Sequence, residues 1–382
     1  MDAFMEGVYN RMVEHLRAGT TDMAEASLSV PIAHFTDADH LKREVEVFRN
    51  QPLVAAMASE LPEPGSFLTR DLLGVPLLMT RDKAGKVSVF RNMCRHRGGK
   101  VEQEEKGKKP FFVCAYHGWS YDAQGALRGV PYEEQLGPVD RSCNSLHRVH
   151  SEERHGIIWV DFSGRADRTV ADYLGEADER LAAYGVEKTV VFMEKWIDLA
   201  VNWKLVMDGA IDVLHPQFLH PTGVGKLIHT SSAVCLDYGR HFQSFSARKR
   251  LLEKLKAGET IDAGWRYISG NLMVFPNTSL IPTPDHYEYW NVWPDLADPG
   301  RCRIHIRFLV DAAKLDDAVA ERIMRSWAIL EQAATEEDFP MEETIQVNAN
   351  AHPVGDFHYG LCEGPCQHLH RQMAREMEVA GA

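Results

Sequence analysis

The amino-acid sequence predicts an α+β fold with a small antiparallel β domain and a larger domain of mixed helices and strands. Between about residues 52 and 165, short apolar or alternating runs such as VPLLMTRD and GIIWVDF are separated by glycine, proline and aspartate turns. Beyond about residue 165, helical patterns alternate with longer strand candidates such as HFQSFSARKRL and NLMVFPN.

The elements follow from apolar spacing and from chain breakers. Pro216 is expected to end the helix before it, because proline lacks an amide N–H. Strands are expected at 189–194 and through most of 228–311. The change near 165–170 divides the chain into an N-terminal helical segment (1–45), a β domain (46–165) and a mixed domain (166–382) onto which the helical segment packs. Helices are predicted at 3–18, 38–50, 168–187, 202–214, 314–334 and 365–378.

Bulk composition excludes several classes of function. The 382-residue chain has a formal charge of −13, which argues against binding nucleic acid through its phosphates. No run approaches 18 uncharged apolar residues, so no membrane span is expected. The N-terminal stretch carries an acidic residue and no signal-peptide core, which predicts a cytoplasmic protein whose seven cysteines do not build a disulfide framework.

Two short runs each place a cysteine close before a histidine. Cys94 and His96 lie in CRHRGG, and Cys114 and His117 lie in CAYHGW. A zinc ion would accept two thiolates and two imidazoles. A two-iron cluster with both cysteines on one iron and both histidines on the other needs each loop to supply one of each, as here. The cluster is favoured over zinc or unligated core residues, and the intervening KGKKP is expected at the tip of a β-hairpin, solvated or facing an acidic redox partner.

A second pair of histidines stands beside a helix breaker. His215 and His220 are five residues apart, about 140° around a straight helix, so they would not share a face. The break at Pro216 can bring them together. Two histidines and one carboxylate form a facial triad that leaves positions on Fe(II) open for O₂.

These motifs resemble those of the Rieske non-haem iron aromatic ring-hydroxylating oxygenases, in their terminal oxygenase (alpha) component. Residues 94–119 look like the Rieske motif, and Asn202-Trp203-Lys204 precedes a D-x-x-H-x-x-x-x-H run, as in that family. The resemblance covers about residues 40–375. It implies an all-β Rieske [2Fe-2S] domain and a helix-grip (START/Bet v 1-like) catalytic domain.

The resemblance also assigns ligands. It implies that Cys94, His96, Cys114 and His117 hold the cluster, and that His215 and His220 bind a mononuclear Fe(II). Asp212 would bridge one of these histidines to a Rieske histidine of a neighbouring subunit. The third iron ligand is expected in TEEDFPMEE as Asp338, with Glu337, Glu342 and Glu343 as rivals.

One departure from the family concerns the pocket. Many relatives have asparagine three or four residues before the bridging aspartate, where this chain has Asp208 and Gly209. Either the asparagine contact is lost or Asp208 supplies it. The tail cluster of Cys362, Cys366, His368 and His370 is interpreted as a turn leading into a docked helix. Substrate-pocket candidates, each equally compatible with core packing, are Met207, Ile211, Leu214, Phe218 and Asn277.

The implied activity is that of the terminal oxygenase in a multicomponent system. A separate NAD(P)H-dependent reductase, with or without a ferredoxin, would supply electrons, because the chain has no G-x-G-x-x-G fingerprint. The cluster would pass them to Fe(II), and O₂ would hydroxylate a small aromatic substrate once or twice. A homotrimer is expected, with or without a β subunit. O- or N-demethylation is the alternative activity, and a pure electron carrier or iron-sulfur sensor is the competing class.

Overall fold

The computed structural model describes residues 3–165, 167–259 and 264–380. They form two compact units, and the α+β prediction is confirmed. The β unit comprises Phe48–Tyr173 and Gly185–Val190, and the mixed unit comprises Met1–Val47, Leu174–Tyr184 and Val191–Ala382. Within the described ranges, no helix is both long and apolar enough to cross a bilayer.

The first half of the chain is mostly strands. In order, its elements are α1 (Ala3–Ala18), β1 (Leu28–Pro31), α2 (Ala38–Arg49), β2 (Leu53–Met57), β3 (Ser66–Leu72), β4 (Val75–Arg81), β5 (Val87–Arg91), β6 (Lys106–Lys108), β7 (Phe111–Val113), β8 (Ser120–Asp122), β9 (Leu127–Gly129), α3 (Glu133–Leu136), β10 (Arg148–Arg154), β11 (Ile157–Asp161), α4 (Val170–Leu174) and α5 (Ala177–Tyr184).

The second half alternates long strands with helices. Its elements are β12 (Thr189–Leu199), α6 (Trp203–Ile211), α7 (Pro216–Leu219), β13 (Ile228–Tyr238), β14 (His241–Arg248), α8 (Lys249–Lys256), β15 (Ile268–Val274), β16 (Thr278–Pro282), β17 (Tyr287–Pro294), β18 (Cys302–Asp311), α9 (Asp317–Gln332), α10 (Phe339–Ala351), β19 (Asp356–Tyr359) and α11 (Gly364–Ala380).

The β unit contains two antiparallel sheets. One has the strand order β2-β11-β10-β5-β4-β3-β6, and the other has the order β7-β8-β9. The aromatic rings of Phe67 and Phe112 meet edge to face at 5.5 Å in the core. Cys94, Cys114 and Tyr121 are buried in the same apolar cluster, whereas His96 and His117 are half-buried, so the cysteine side of the first motif faces the interior of this unit.

The mixed unit is organised by a seven-stranded antiparallel sheet of order β12-β18-β17-β16-β15-β14-β13. Successive side chains of a strand point to opposite faces. In β14, Phe245 and Ala247 pack with α1, whereas Ser244, Ser246 and Arg248 line a cavity on the other face. The sheet therefore separates an apolar core from a polar cavity wall.

Helix α1 owes its order to packing on this sheet. An isolated helix of this length is marginal in water. Val8 and Met12, one turn apart, are buried against Val234 and Phe245. Each such side chain stabilises the fold by about 1.5–3 kcal/mol on burial, which is enough to hold the helix.

Three local predictions were wrong. Helix α6 ends at Ile211, before Pro216 is reached. Pro216 is instead the first residue of α7, a position where the backbone N–H that proline lacks would have no partner within the helix. The strand predicted through HFQSFSARKRL ends at Arg248, where α8 begins.

The lysine-rich stretch is not the tip of a hairpin. Strand β6 pairs with β3, whereas β7 pairs with β8 in the other sheet. Two of its lysines, and Lys100 before it, form ion pairs with carboxylates of the same chain: Lys100 with Asp71, Lys108 with Glu63, and Lys109 with Glu102 and Glu104.

Candidate active site and metal centres

The two Cys-His loops have the same backbone design. In the first, the Gly98 N–H donates to the Cys94 carbonyl at 2.9 Å, and the Cys94 N–H donates to Gly99 at 2.8 Å. Gly98 and Gly118 both have positive φ, 78° and 71°, which favours glycine. The second loop repeats both bonds, from Gly118 to Cys114 and from Cys114 to Trp119.

The four side chains of these loops converge. The rings of His96 and His117 lie 4.5 Å apart, and His96 stacks on Trp119. The Nδ1 atom of His96 is buried without a hydrogen-bond partner in the described structure. An Arg97 guanidinium nitrogen lies 2.6 Å from Nε2 of His117. The Nδ1 atom of His117 is therefore the ring nitrogen that remains to bind a metal. Burial and Arg97 lower the pKa of His117, favouring the neutral form that a metal requires.

The sulfur side of this cluster of residues is buried and hydrogen-bonded. The Arg95 N–H donates to the Tyr121 hydroxyl oxygen at 3.0 Å. The same hydroxyl group lies within hydrogen-bond distance of the Cys94 sulfur, 3.3 Å away. Burial raises the pKa of the Cys94 thiol, so a thiolate there needs a cation beside it. Two buried sulfurs and two imidazole nitrogens therefore fit a [2Fe-2S] cluster.

In the mixed unit, the one-turn helix α7 brings the second histidine pair together. His215 precedes α7 and His220 follows it. Their rings are 5.2 Å apart and nearly perpendicular. Helix α6 ends before Asp212, whose backbone is extended. The two histidines therefore do not lie on one continuous helix, and their rings can approach each other.

Carboxylates fix the orientation of both rings. Asp212 accepts hydrogen bonds from the His215 N–H at 3.0 Å and from Nδ1–H at 2.9 Å. Glu337 similarly contacts Nδ1 of His220. Burial lowers the pKa of His220, but Asp338 and Glu337 outweigh it and raise the pKa overall. Each ring thus keeps its Nε2 for another ligand.

Asp338 faces both of these nitrogens. Its Oδ1 lies 3.0 Å from Nε2 of His220 and 3.7 Å from Nε2 of His215. Ligand atoms of the three residues lie within 4.8 Å of one another, as a single metal ion requires. Residues 333–338 form a π-helical segment between α9 and α10, a wider turn that is common at functional sites.

The other acidic residues of this stretch have different surroundings. Glu337 holds His220 from behind, and Glu343 is exposed. Glu342 is buried, and burial raises its pKa well above the usual range. A Cβ on Gly209 would overlap the Oε1 atom of Glu342. The glycine therefore opens the space that the Glu342 carboxyl group fills.

Asp208 does not line the cavity, contrary to one of the two alternatives. Its Oδ2 accepts hydrogen bonds from the Tyr359 hydroxyl at 2.7 Å and from Nε2 of His370 at 3.0 Å. His370 lies on α11, so the tail histidine serves to anchor that helix to α6. The asparagine contact typical of relatives is therefore not supplied by Asp208.

A cavity of about 310 Å³ adjoins the candidate metal ligands. Val206, Ala210 and Val213 line it from one face of α6 and the residues after it, at helical spacing. Of the five pocket candidates, Ile211 lines this cavity and the other four do not. Met207 faces the core, Phe218 is 76% exposed, Asn277 donates to the Val292 carbonyl, and Leu214 lies outside the lining.

The Asn-Trp-Lys run acts through a residue that the sequence reading missed. The Trp203 indole N–H and the Lys204 ammonium both donate to Glu44, at 2.8 and 2.6 Å. Asn202 caps α6 by accepting from the Lys204 N–H. Glu44 lies in the apolar stripe of α2 with Leu41, and a charge in such a stripe was the available signal.

Two separate ligand sets, one in a β domain and one beside a cavity, define a protein with two metal centres. Residues 51–143 match the Rieske [2Fe-2S] domain family, and residues 186–379 match the family described as ring hydroxylating alpha subunit, catalytic domain. The second match alone covers half of the chain.

Curated relatives include both dioxygenases and monooxygenases. The chain is 31% identical to the benzene 1,2-dioxygenase subunit alpha of Pseudomonas putida, over 75% of this chain and 72% of that protein. It is 30% identical to the glycine betaine monooxygenase oxygenase subunit of Pseudomonas aeruginosa, over 55% of this chain. This match spans about half the length of that relative, 49%.

Solved structures share the fold. A quaternary ammonium Rieske monooxygenase in complex with L-carnitine superposes with a TM-score of 0.76 at 18% identity, covering 94% of this chain and 96% of that one. Naphthalene 1,2-dioxygenase from a Rhodococcus species, bound to indole, gives 0.76 at 18% identity, covering 99% and 98%. The chain belongs to the Rieske ring-hydroxylating oxygenase alpha-subunit family, whose members are oxidoreductases that carry a Rieske cluster and a mononuclear iron.

Proposed function

We propose that this chain is the terminal oxygenase of a multicomponent Rieske system, which inserts oxygen from O₂ into a small organic substrate. The observation that carries the proposal is the convergence of His215, His220 and Asp338 at the wall of a cavity of about 310 Å³. A bound iron there would supply O₂ activation, and the cluster held by the two Cys-His loops would supply single electrons. A separate reductase, with or without a ferredoxin, would be the electron source.

The residues around the iron site would hold its ligands in position. Asp212 and Glu337 each occupy Nδ1 of one histidine, so both Nε2 atoms point toward Asp338. Two histidines and one carboxylate leave positions free for O₂ beside the cavity. The buried side chain of Glu342 would contribute a polar group to the cavity wall beside these ligands.

We also propose that Asp212 bridges the two kinds of metal centre across subunits of a homotrimer. Its side chain remains 17% exposed while it holds His215. A carboxylate with one edge on an iron ligand can accept a second donor from a neighbouring chain.

Two reactions remain candidates, hydroxylation of an aromatic ring and demethylation at oxygen or nitrogen. The α6 side of the cavity is apolar, which suits a ring or a methyl group. The sheet side carries Ser244, Ser246 and Asn271, which favours a polar substrate. Glycine betaine monooxygenase among the relatives supports considering a quaternary ammonium acid.

Product labelling under ¹⁸O₂ tests the proposed function. The iron-loaded protein would be supplied with NADH, a reductase and a panel of aromatic acids, hydrocarbons, methyl ethers and betaines. Two labelled atoms in one product would mean dihydroxylation, and one would mean monooxygenation. Demethylation would instead release the methyl carbon as formaldehyde, which takes the inserted oxygen with it, and would leave the demethylated product unlabelled. About three irons per two sulfides are expected, whereas two irons per two sulfides and no label would indicate an electron carrier.

Gly225 is expected to control the position of α7. A Cβ at this residue would overlap the carbonyl oxygen of Pro216 and come within 2.6 Å of that of His220, both rigid backbone atoms. Gly225→Ala should displace α7, lower the mononuclear iron content and slow turnover, while the cluster spectrum stays unchanged. Gly223→Ala is the matched control, because a Cβ there meets nothing within 4 Å. Equal iron content in both variants would contradict this role.

A further inference from the structure

One arginine in the cavity wall, Arg248, forms no ion pair with the described residues. Arg248 ends β14 on the same face as Ser244 and Ser246 and lines the cavity. Its Nε is buried without a hydrogen-bond partner in the described part of the chain. No carboxylate oxygen of the described residues forms an ion pair with its guanidinium. Burial lowers its pKa, but an arginine keeps its charge in proteins.

The acidic residues of this wall do not neutralise Arg248. Glu288 comes from β17 and lies 4.0 Å from Nε2 of His286. Burial raises the pKa of Glu288 to about 7, so the group is largely uncharged in mildly acidic solution even with Arg248 nearby. Asp285 pairs with Arg322 at 3.1 Å. Among the described residues, the guanidinium on the sheet side of the cavity therefore has Glu288 as an electrostatic neighbour but no ion-pair partner.

The groups next to Arg248 in the cavity wall carry no fixed negative charge. The buried Trp290 indole N–H lies on the same strand face as Glu288 and interacts with its carboxyl group. Burial lowers the pKa of His286 to about 4, so this imidazole is neutral near pH 7. Thr283 occupies its Nδ1 at 2.8 Å. The sheet side thus offers a fixed positive charge beside a neutral imidazole.

We propose that the substrate carries a carboxylate group, and that Arg248 binds it while the rest of the molecule extends toward the candidate iron ligands. The planar guanidinium fork matches the two oxygens of a carboxylate. This inference rests on the proposed oxygenase function for its meaning, but binding can be measured without turnover.

The volume limits the size of such a substrate. About 310 Å³ is at the small end of ligand cavities. An aromatic acid would place its ring against the apolar α6 side. A quaternary ammonium acid would direct its methylated nitrogen toward the candidate iron ligands. The two share the carboxylate, and the choice between them is left to the experiment.

The test measures binding and turnover separately. Iron-loaded protein would be titrated calorimetrically with benzoate, with glycine betaine and with the neutral benzamide and toluene. The compared proteins are wild type, Arg248→Met, Arg248→Lys and the control Arg250→Met, whose exposed guanidinium stacks on Tyr267 outside the cavity lining. The ¹⁸O₂ assay is run on the same samples.

A carboxylate is expected to bind wild type at least about 30-fold more tightly than Arg248→Met, the factor typical of losing a buried charged partner. Arg248→Lys should keep part of the wild-type affinity for the carboxylate, and Arg250→Met should keep all of it. Arg248→Met should unfold at an equal or higher temperature, since it removes a charge without a partner, whereas a purely structural arginine would give a lower one.

Equal affinity for neutral and carboxylate ligands, no carboxylate binding, or unchanged carboxylate binding by Arg248→Met would each overturn the inference. Carboxylate binding that depends on Arg248, with neither label incorporated from ¹⁸O₂ nor formaldehyde released, would support the inference and overturn the oxygenase function instead. Preference for benzoate or for betaine would identify the substrate class.

Discussion

Replacing His215 with alanine is expected to abolish oxygen incorporation while the Rieske cluster keeps its EPR signal. The substitution removes one of the three ligand atoms grouped within 4.8 Å, and it also leaves Asp212 without its imidazole partner. Iron should fall from about three to about two per two sulfides. Product analysis under ¹⁸O₂, metal analysis and EPR of the reduced cluster measure the three quantities on one sample.

Two further variants make this result specific. Asp338→Ala should behave like His215→Ala, because Asp338 is the carboxylate that reaches both histidines. His352→Ala, an exposed histidine after α10, should keep full iron content and turnover. Retained oxygenation in His215→Ala would exclude this iron site, and retained iron in Asp338→Ala would move the third ligand to another residue.

The two histidine motifs could be predicted because their information is local. Cys94 and His96, like His215 and His220, lie a few residues apart, so chain geometry alone brings them near one another. The order of cysteine and histidine within each loop then distinguishes a two-iron cluster from a zinc finger.

The carboxylate was harder to choose, for a physical reason. The stretch TEEDFPMEE offers several acids per helical turn. The π-helical segment at 333–338 changes the phase of the helix there, so regular 3.6-residue spacing cannot tell which acid faces inward. Met207 and Phe218 were misplaced in the pocket because apolar residues of α6 and α7 serve the core and the surface as well as the cavity.

The polar cavity wall could not be predicted at all. Arg248 and Glu288 are forty residues apart in sequence, on β14 and β17, and two intervening strands bring them onto one face. Strand alternation shows which residues share a face but not which face is the cavity. The ion pair between Glu44 and Lys204 could not be predicted for the same reason, because the two residues are far apart in the sequence.

Lys204→Met is expected to lower the free energy of unfolding by about 3–5 kcal/mol, the cost of leaving one member of a buried ion pair alone. Both Glu44 and Lys204 are almost fully buried, and their charged atoms are 2.6 Å apart. His40 also contacts Glu44, at 3.1 Å. Urea unfolding of wild type and variant, followed by circular dichroism, measures the difference.

The double variant Lys204→Met with Glu44→Gln separates the pair from the packing around it. Glutamine can still accept from the Trp203 N–H but carries no charge to strand in the core, so most of the lost stability should return. A double variant as unstable as the single one would mean that Lys204 acts through the packing of its aliphatic stem and not through its ion pair with Glu44.

The same carboxylate predicts how wild-type stability depends on acid. Burial opposes ionisation of Glu44, but Lys204 and His40 outweigh it and lower its pKa from 4.5 to about 2. A depressed folded-state pKa stabilises the fold above the unfolded value, so the contribution is complete above pH 4.5 and disappears as the pH falls toward 2. Glu44→Gln removes this group, and its stability should therefore fall less steeply than wild type between those pH values. Parallel curves would show that other carboxylates dominate acid unfolding.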